Sequence, residues 1–333
     1  MKKIEITFII KALNEEDNIA ACIESCLREG LPYTSEVILV DSLSTDKTIA
    51  IAKQYPVKIV QFENKADIGC GAAPQLGYQY AQGKYIYLLD GDMELCEGFL
   101  VTAMNYMADN SQVAGVAGKL VDTRHLSDED RRRADVYDKI LTMKSEQHLG
   151  GGGLYRKKSI DSVGYFSHSA LLAREEFELG ARLLSKNWSL KRLPVNSVMH
   201  TGHNEGDLQR ICRLWSNGRL FSSGALLKSA IGKTWFSLCI KHLWYLFMPL
   251  IINVFILAGL VTFNYIVPLS IGTAIFLFIS SWVVVFMLLS AQKKSILRAT
   301  NTLLTWHVGF IALLLSLFMQ VDKPNLAIKG KVF

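Results

Sequence analysis

Tyr85-Ile86-Tyr87-Leu88-Leu89-Asp90-Gly91-Asp92 is an unbroken apolar run that ends in two carboxylates one residue apart. A continuous apolar run, as opposed to an alternating one, reads as a strand covered on both faces. Its carboxyl-terminal edge would deliver Asp90 and Asp92 together. Outward from it, Ile4 to Ile10, Val37 to Val40 and Val57 to Val60 repeat the pattern. Helical spacing fills the gaps. Asn14 stands as a cap before Ile19, Ile23, Cys26 and Leu27, Ser44 or Thr45 before Ile49, Ile51 and Ala52, and Gly71 to Ala81 lies between the third and fourth runs. The alternation predicts an α/β fold, a doubly wound sheet with a Rossmann-like nucleotide-binding half. Such sheets bind ligands beyond the carboxyl ends of their strands. Here those ends carry Asn14-Glu15-Glu16, Asp41 to Asp46 and Asp90-Gly91-Asp92.

The rest of the chain has a different composition. Lysine and arginine number 36 against 30 acidic residues, a net charge of +6, yet no Asp, Glu, Lys or Arg occurs between Lys241 and Lys293. That gap predicts a membrane region over 241–333. Its hairpin of spans is 243–263 and 266–290, joined at Asn264-Tyr265, and its third apolar segment, 303–320, spans, re-enters or lies at the interface. The hairpin would keep Lys293, Lys294 and Arg298 on the cytoplasmic side, whereas a third crossing would export Lys323, Lys329 and Lys331. Residues 206–240 alternate Arg210, Arg213, Arg219 and Lys228 with Leu214, Trp215 and Phe221, as a helix in the headgroup layer does. The remaining domain, 1–205, would be cytoplasmic at a cell membrane. Positive charge beside apolar spans, without an interleaved aromatic stripe, speaks for membrane lipid and against nucleic acid. A transporter would need charged residues within its spans. The six cysteines form no Cys-x-x-Cys pair and fit a reducing compartment. The apolar run after Met1-Lys2-Lys3 is only about seven residues long and has no small-residue cleavage site, so it reads as a strand and not a leader.

Three groups of residues carry chemistry. Asp90 and Asp92 could hold Mg²⁺ or Mn²⁺ with positions left for a diphosphate. Asp41 ends a strand and could hydrogen-bond a base or ribose, and Asp46 sits where a helix start favours a carboxylate. Gly150, Gly151, Gly152 and Gly153 precede Tyr155-Arg156 and let backbone approach a ligand closely. Further on, Glu175-Glu176-Phe177-Glu178 opens a helix, and a positioned glutamate there could take a proton from an attacking hydroxyl.

These segments, in this order over Ile4 to Arg219, resemble the family 2 glycosyltransferases, inverting enzymes of the GT-A fold. The resemblance implies that Leu13, Asn14 and Glu15 lie against the nucleotide of a nucleotide-diphosphate sugar, commonly a UDP-sugar, and that Asp41 binds the base. Asp46 and Gly91 would belong to the same donor site. It further implies that Asp90 contacts ribose or sugar, that Asp92 ligates the metal, and that Glu176, beside Glu175, is the general base. Gly151, Gly152, Gly153 and Arg156 would belong to an acceptor-side loop. A histidine following the acidic segment would complete the metal site, His200 or His203, with His200 preferred because it ends the strand-like run Ser197 to Met199. Together with the membrane hairpin, the resemblance implies transfer to a lipid-linked or surface-polysaccharide acceptor by single displacement with inversion.

The chain departs from the family pattern in four places. Ser42 and Leu43 replace a carboxylate and a glycine in the turn after Asp41. Ala73-Pro74-Gln75-Leu76-Gly77 lacks an arginine. Glu176 stands for aspartate, one methylene longer, which shifts its reach by roughly 1 Å. The processive-synthase motif is only echoed by Gln209, Arg213 and Trp215. The first two departures leave a second reading, a non-catalytic membrane scaffold with a degenerate nucleotide-binding domain.

Overall fold

The computed structural model describes residues 3–123, 128–150, 152–201, 206–324 and 328–333. The chain divides into two compact units, Met1–Gly206 with Val321–Phe333, and Asp207–Gln320.

In the first unit the four apolar runs are strands β1 (Ile6–Ala12), β2 (Ser35–Asp41), β3 (Lys58–Phe62) and β4 (Tyr85–Asp90). They lie parallel in the order β3-β2-β1-β4, alternating with helices α1 (Ile19–Gly30), α2 (Thr48–Ala52) and α3 (Ala72–Tyr80). Successive side chains point to opposite faces, and both faces are buried. Phe8, Ile10, Leu39 and Tyr87 enter one core, and Ile9, Ile38, Val40, Ile86 and Leu88 the other. That division is why the runs read as continuous. Register pairs Ala12 with Asp41 and Lys11 with Asp90, so both acids arrive at one edge, flanking the end of β1.

The chain continues through β5 (Met93–Leu95), α4 (Phe99–Asp109), β6 (Val113–Asp122), α5 (Asp128–Asp138), β7 (Lys144–Glu146), β8 (Gly153–Arg156), α6 (Lys157–Ser162), α7 (Glu175–Ser185) and β9 (Ser189–His200). Antiparallel β8 joins β4 to β6, and the sheet becomes mixed. Its order is β10-β3-β2-β1-β4-β8-β6-β9-β5, with β7 on β9 and β10 (Gly330–Val332) at the opposite end.

Two helix starts fall later than the sequence suggests. Helix α1 begins after Asn18, not after Asn14. Asn14 instead takes the left-handed conformation, φ 57°, and its Oδ1 accepts the Thr45 N–H at 2.8 Å, tying the loop after β1 to the loop after β2. At α2 it is Asp46, and not Ser44 or Thr45, whose carboxylate receives the Thr48 N–H.

The chain end also differs from a membrane region running to 333. Ile328 is buried, and β10 adds antiparallel to β3, pairing Val332 with Val60. It covers the row of backbone groups that an edge strand leaves open.

The second unit holds α8 (Asp207–Ser216), α9 (Ser222–Ala230), α10 (Phe236–Leu243), α11 (Met248–Ile266), α12 (Ile271–Lys293) and α13 (Ile296–Leu317). Among the described residues, Phe236–Ile266, Ile271–Lys293 and Ile296–Leu317 are each long and apolar enough to cross a membrane. The amphipathic stretch 206–240 is not one helix: α8 ends at Ser216, the chain turns at Gly218 with φ 78°, α9 follows, and α10 opens at Phe236. Helix α9 packs on α13 so closely that a Cβ on Gly224 would meet Ser316 Oγ at 2.0 Å. The connection within the hairpin is 267–270, not Asn264-Tyr265. Pro268 has no N–H to continue a helix, the Ser270 side chain caps α12, and Asn264 Oδ1 accepts the Leu269 N–H.

Candidate active site

The carboxyl edge of β1 and β4 carries an ion cluster built around Lys11. Its ammonium lies 2.7 Å from Asp90 Oδ1, and 16 % of its side chain is exposed. Burial alone would lower the lysine pKa, but Asp90, Glu175 and Glu176 outweigh it and hold the pKa above the ordinary value. Gly91 donates its N–H to Lys11 O at 2.8 Å. A Cβ on Gly91 would meet Glu15 Cγ at 3.0 Å, so the glycine lets Glu15 lie against the Asp90-Gly91-Asp92 turn. Burial, then Asp92, Asp90 and Asp46, push the Glu15 pKa up to about 7 against an opposing hydrogen bond from Asn18.

Asp41 is fully buried at the end of β2. Its Oδ2 accepts the Ser44 N–H at 3.1 Å and Gln61 Nε2 at 2.8 Å, whereas Oδ1 has no hydrogen-bond partner among the described residues. An acceptor oxygen left over in a buried carboxylate suits an N–H donor from outside the chain. Asn14 and Asp46 are engaged in bracing. Asp46 accepts the N–H groups of Glu16 and Thr48, and Asn14 Oδ1 accepts the Thr45 N–H and the Thr45 hydroxyl O–H. Leu13 is exposed just beyond β1.

Asp92 follows β4, and His200 ends β9 opposite Met93. His200 Nε2 lies 3.3 Å from Asp92 Oδ2, and Nδ1 lies 2.8 Å from Asp122 Oδ1. Burial opposes charging of the imidazole, but Asp92 and Asp122 hold its pKa above the ordinary range. The carboxylate oxygen suits Mg²⁺ or Mn²⁺, and the imidazole nitrogen beside it is a donor more typical of transition ions, which favours Mn²⁺ of the two. Among the described residues no third His, Cys, Asp or Glu joins them, so phosphate oxygens and water would have to complete the shell.

Helix α7 brings up Glu175 and Glu176. It is seated by Gly180, where a Cβ would lie 1.8 Å from the Gln147 carbonyl. This close approach sets the acidic helix start against the glycine loop, and Glu176 Oε2 comes 3.4 Å from the Cβ position of Gly150. Burial, reinforced by Glu175 and Asp90 and opposed by Lys11 and Arg192, pushes the Glu176 pKa up to about 7. Gly152 takes φ 79° and Gly153 opens β8, paired with Leu88 of β4, whereas Gly151 and His203 lie outside the described residues.

Arg156 is not part of this edge. It pairs with Tyr85, at the amino end of β4, and its guanidinium donates to the carbonyls of Met107 and Val113. Five residues along a strand put it about 16 Å from Asp90. Gln75, in the segment that lacks an arginine, accepts the N–H groups of Phe166 and Ser167 at Oε1 and fixes that loop.

Four site residues escaped the sequence reading. Lys11 is visible as a lone charge near the end of an apolar strand. Asp122 is the last residue of β6, Val113–Asp122, as Asp41 and Asp90 are of their strands. Arg133 and Gln61 carry no local signal.

A doubly wound mixed sheet with carboxylates at its carboxyl edge defines the GT-A class of nucleotide-binding domain. Residues 7–178 match the family model "Glycosyl transferase family 2", and the chain belongs to that family. Among curated relatives it is 26 % identical over 199 residues to a poly(ribitol-phosphate) beta-glucosyltransferase of Bacillus spizizenii, covering 56 % of this chain and 31 % of the relative. It is 29 % identical over 102 residues to a dodecaprenyl-phosphate galacturonate synthase of Rhizobium johnstonii, covering 28 % and 30 %. The chain thus spans about a third of the length of these relatives. Among solved structures, S. aureus TarS 1-349 in complex with UDP-GlcNAc superposes with a TM-score of 0.54 at 18 % identity, covering 69 % of this chain and 67 % of that one. The same protein without ligand gives 0.52 at 17 %, covering 69 % and 66 %.

Proposed function

We propose that this protein is a membrane-anchored glycosyltransferase that moves a sugar from a UDP-sugar to a lipid-linked or surface-polysaccharide acceptor. The observation that carries the reading is the gathering of Asp41, Asp90, Asp92 with His200, and Glu176 about the carboxyl edge of one sheet. The UDP-GlcNAc held by TarS in its complex supports a uridine donor, and the poly(ribitol-phosphate) and dodecaprenyl-phosphate in the names of the two relatives support a teichoic-acid-like or polyprenyl-phosphate acceptor. The apolar helices of the second unit support a location at the cell membrane, with the sheet domain cytoplasmic.

Asp41 Oδ1 accepts an N–H of the base, Glu15 faces the ribose, and Asp90, held by Lys11, accepts sugar or ribose hydroxyls. Asp92 and His200 would hold Mg²⁺ or Mn²⁺, which would neutralise the charge that builds on the departing diphosphate. Glu176 takes the proton of the acceptor hydroxyl. The acceptor oxygen bonds to the anomeric carbon as the carbon–phosphate-oxygen bond breaks, which inverts the centre, releases a nucleoside diphosphate and leaves the proton on Glu176. Lys11 and Arg192 counter the repulsion among the acidic groups that this arrangement requires.

The test is product formation from a panel of UDP-sugars with Mn²⁺ and membrane-extracted acceptors. EDTA and Asp92→Ala should abolish turnover, while Glu176→Gln should keep donor affinity and lose roughly 10²-fold or more in rate. Donor binding with no product from any sugar and acceptor would sink the proposal and favour a scaffold.

A further inference from the structure

The cation pair Asp92–His200 is backed by a second layer of side chains that its own chemistry does not require. Asp122 ends β6 and is paired in register with His200 on the parallel neighbour β9, while His200 is paired on its other side with Met93, next to Asp92. The backbone pins this arrangement on both sides: Thr123 N–H donates to His200 O at 2.9 Å and Thr201 N–H to Asp92 O at 3.4 Å. The imidazole therefore bridges carboxylates from two strand ends, Nδ1 to Asp122 at 2.8 Å and Nε2 to Asp92 at 3.3 Å.

The two ends are not equivalent. The Asp122 side chain has no solvent exposure, and the guanidinium of Arg133 on α5 grips both its oxygens, Nε to Oδ2 at 2.8 Å and Nη2 to Oδ1 at 2.5 Å. Both Asp122 oxygens thus accept from the guanidinium fork, and toward His200 the carboxylate again offers an acceptor. The hydrogen between Asp122 and His200 therefore belongs to Nδ1. A neutral imidazole with its hydrogen on Nδ1 presents the lone pair at Nε2, the atom turned toward Asp92.

We propose that Asp122, clamped by Arg133, is the positioning residue that fixes the tautomer and rotation of His200, so that Nε2 and Asp92 Oδ2 present a ready-made two-point site for a divalent cation. Outer carboxylates that orient a ligating histidine in this way typically contribute a tenfold to hundredfold factor in metal affinity. This inference rests on the cation reading given under the proposed function.

The test titrates the chain of residues 1–333 in detergent micelles with Mn²⁺ alone, following the free ion by electron paramagnetic resonance. Asp122→Asn keeps the size of the side chain but can turn its amide N–H toward Nδ1, which moves the ring hydrogen to Nε2 and closes that position to a cation. Its Mn²⁺ dissociation constant should rise roughly ten- to a hundredfold, as in His200→Ala, while Glu176→Gln binds Mn²⁺ like the parent. Wild-type affinity in a folded Asp122→Asn protein, with His200→Ala impaired, would overturn the positioning role and leave the cation reading intact. Wild-type affinity in both Asp92→Ala and His200→Ala would overturn the cation reading and the positioning role with it. Should circular dichroism show Asp122→Asn unfolded, Arg133→Lys decides: it keeps the charge but loses the fork, and a severalfold weaker Mn²⁺ affinity supports the assignment where an unchanged one overturns it.

Discussion

The Glu176 carboxyl is pushed up to about 7 with Lys11 as the first group holding it down. Removing that cation in Lys11→Met should move the acid limb of the kcat/KM profile upward by roughly one unit, and Lys11→Arg should restore it. A uniform loss of rate with an unmoved limb would count against the pairing. Stability has a definite sign. A carboxyl whose folded pKa lies above its unfolded value contributes stability that is fully present below about pH 4.5 and is lost as the pH rises toward 7. Glu176→Gln should therefore raise the melting temperature at pH 8 and leave it nearly unchanged at pH 4, read by thermal unfolding at both values. The residues legible from the chain were those that end apolar strands, because a strand's polar terminus must sit at the sheet edge. Asp41 and Asp90 follow that rule, Asp92 stands in the turn directly after β4, and His200 ends β9 behind the short apolar run Val198-Met199. Arg156 does not follow it, since a position next to a glycine loop says nothing about which end of the antiparallel pair the side chain occupies. Gln61 reaches Asp41 from the neighbouring strand, a contact that only register creates.

Helix α7 owes its position to a single missing methyl. The Gln147 carbonyl occupies the space a side chain at 180 would need, and the backbone of a loop cannot yield as a flexible side chain can. Gly180→Ala should cost about 1–3 kcal/mol or more by overpacking, seen as a lower denaturation midpoint, and should impair turnover further by moving Glu175 and Glu176 together. Gly98→Ala, whose added Cβ would meet nothing within 4 Å but whose φ is 75°, separates conformational strain from crowding: it should cost only about 1 kcal/mol and spare activity. The parallel strands and their helices were readable because two buried faces force continuous apolar runs. The helix starts fall two to four residues late because Asn14, Ser44 and Thr45, which look like caps in the sequence, are tied to one another in the loop-to-loop clamp. The split of the amphipathic stretch at Gly218 was hidden because the hydrophobic spacing of α8 runs on into α9.

At the scale of the molecule, the ten-stranded sheet is completed by residues more than two hundred positions away in sequence from the strands they join. Val332 pairs with Val60, Phe333 N–H reaches Ile59 O, and Ile328 is buried in the same core. Removing residues 321–333 should reopen the β3 edge, lower the melting temperature of the sheet unit and promote association through that strand, measurable by light scattering. The chain leaves this unit at Gly206 and rejoins it at Val321, and an excursion that returns to its own starting body cannot end on the far side of a barrier. If the apolar helices enter a bilayer, the number of complete crossings must then be even. A pair such as α11 and α12 satisfies this parity, whereas three full traverses would strand Lys329 and Lys331 across the lipid from the strand they extend. Reporter domains fused before Met1 and after Phe333 should accordingly be accessible from the same face of sealed vesicles.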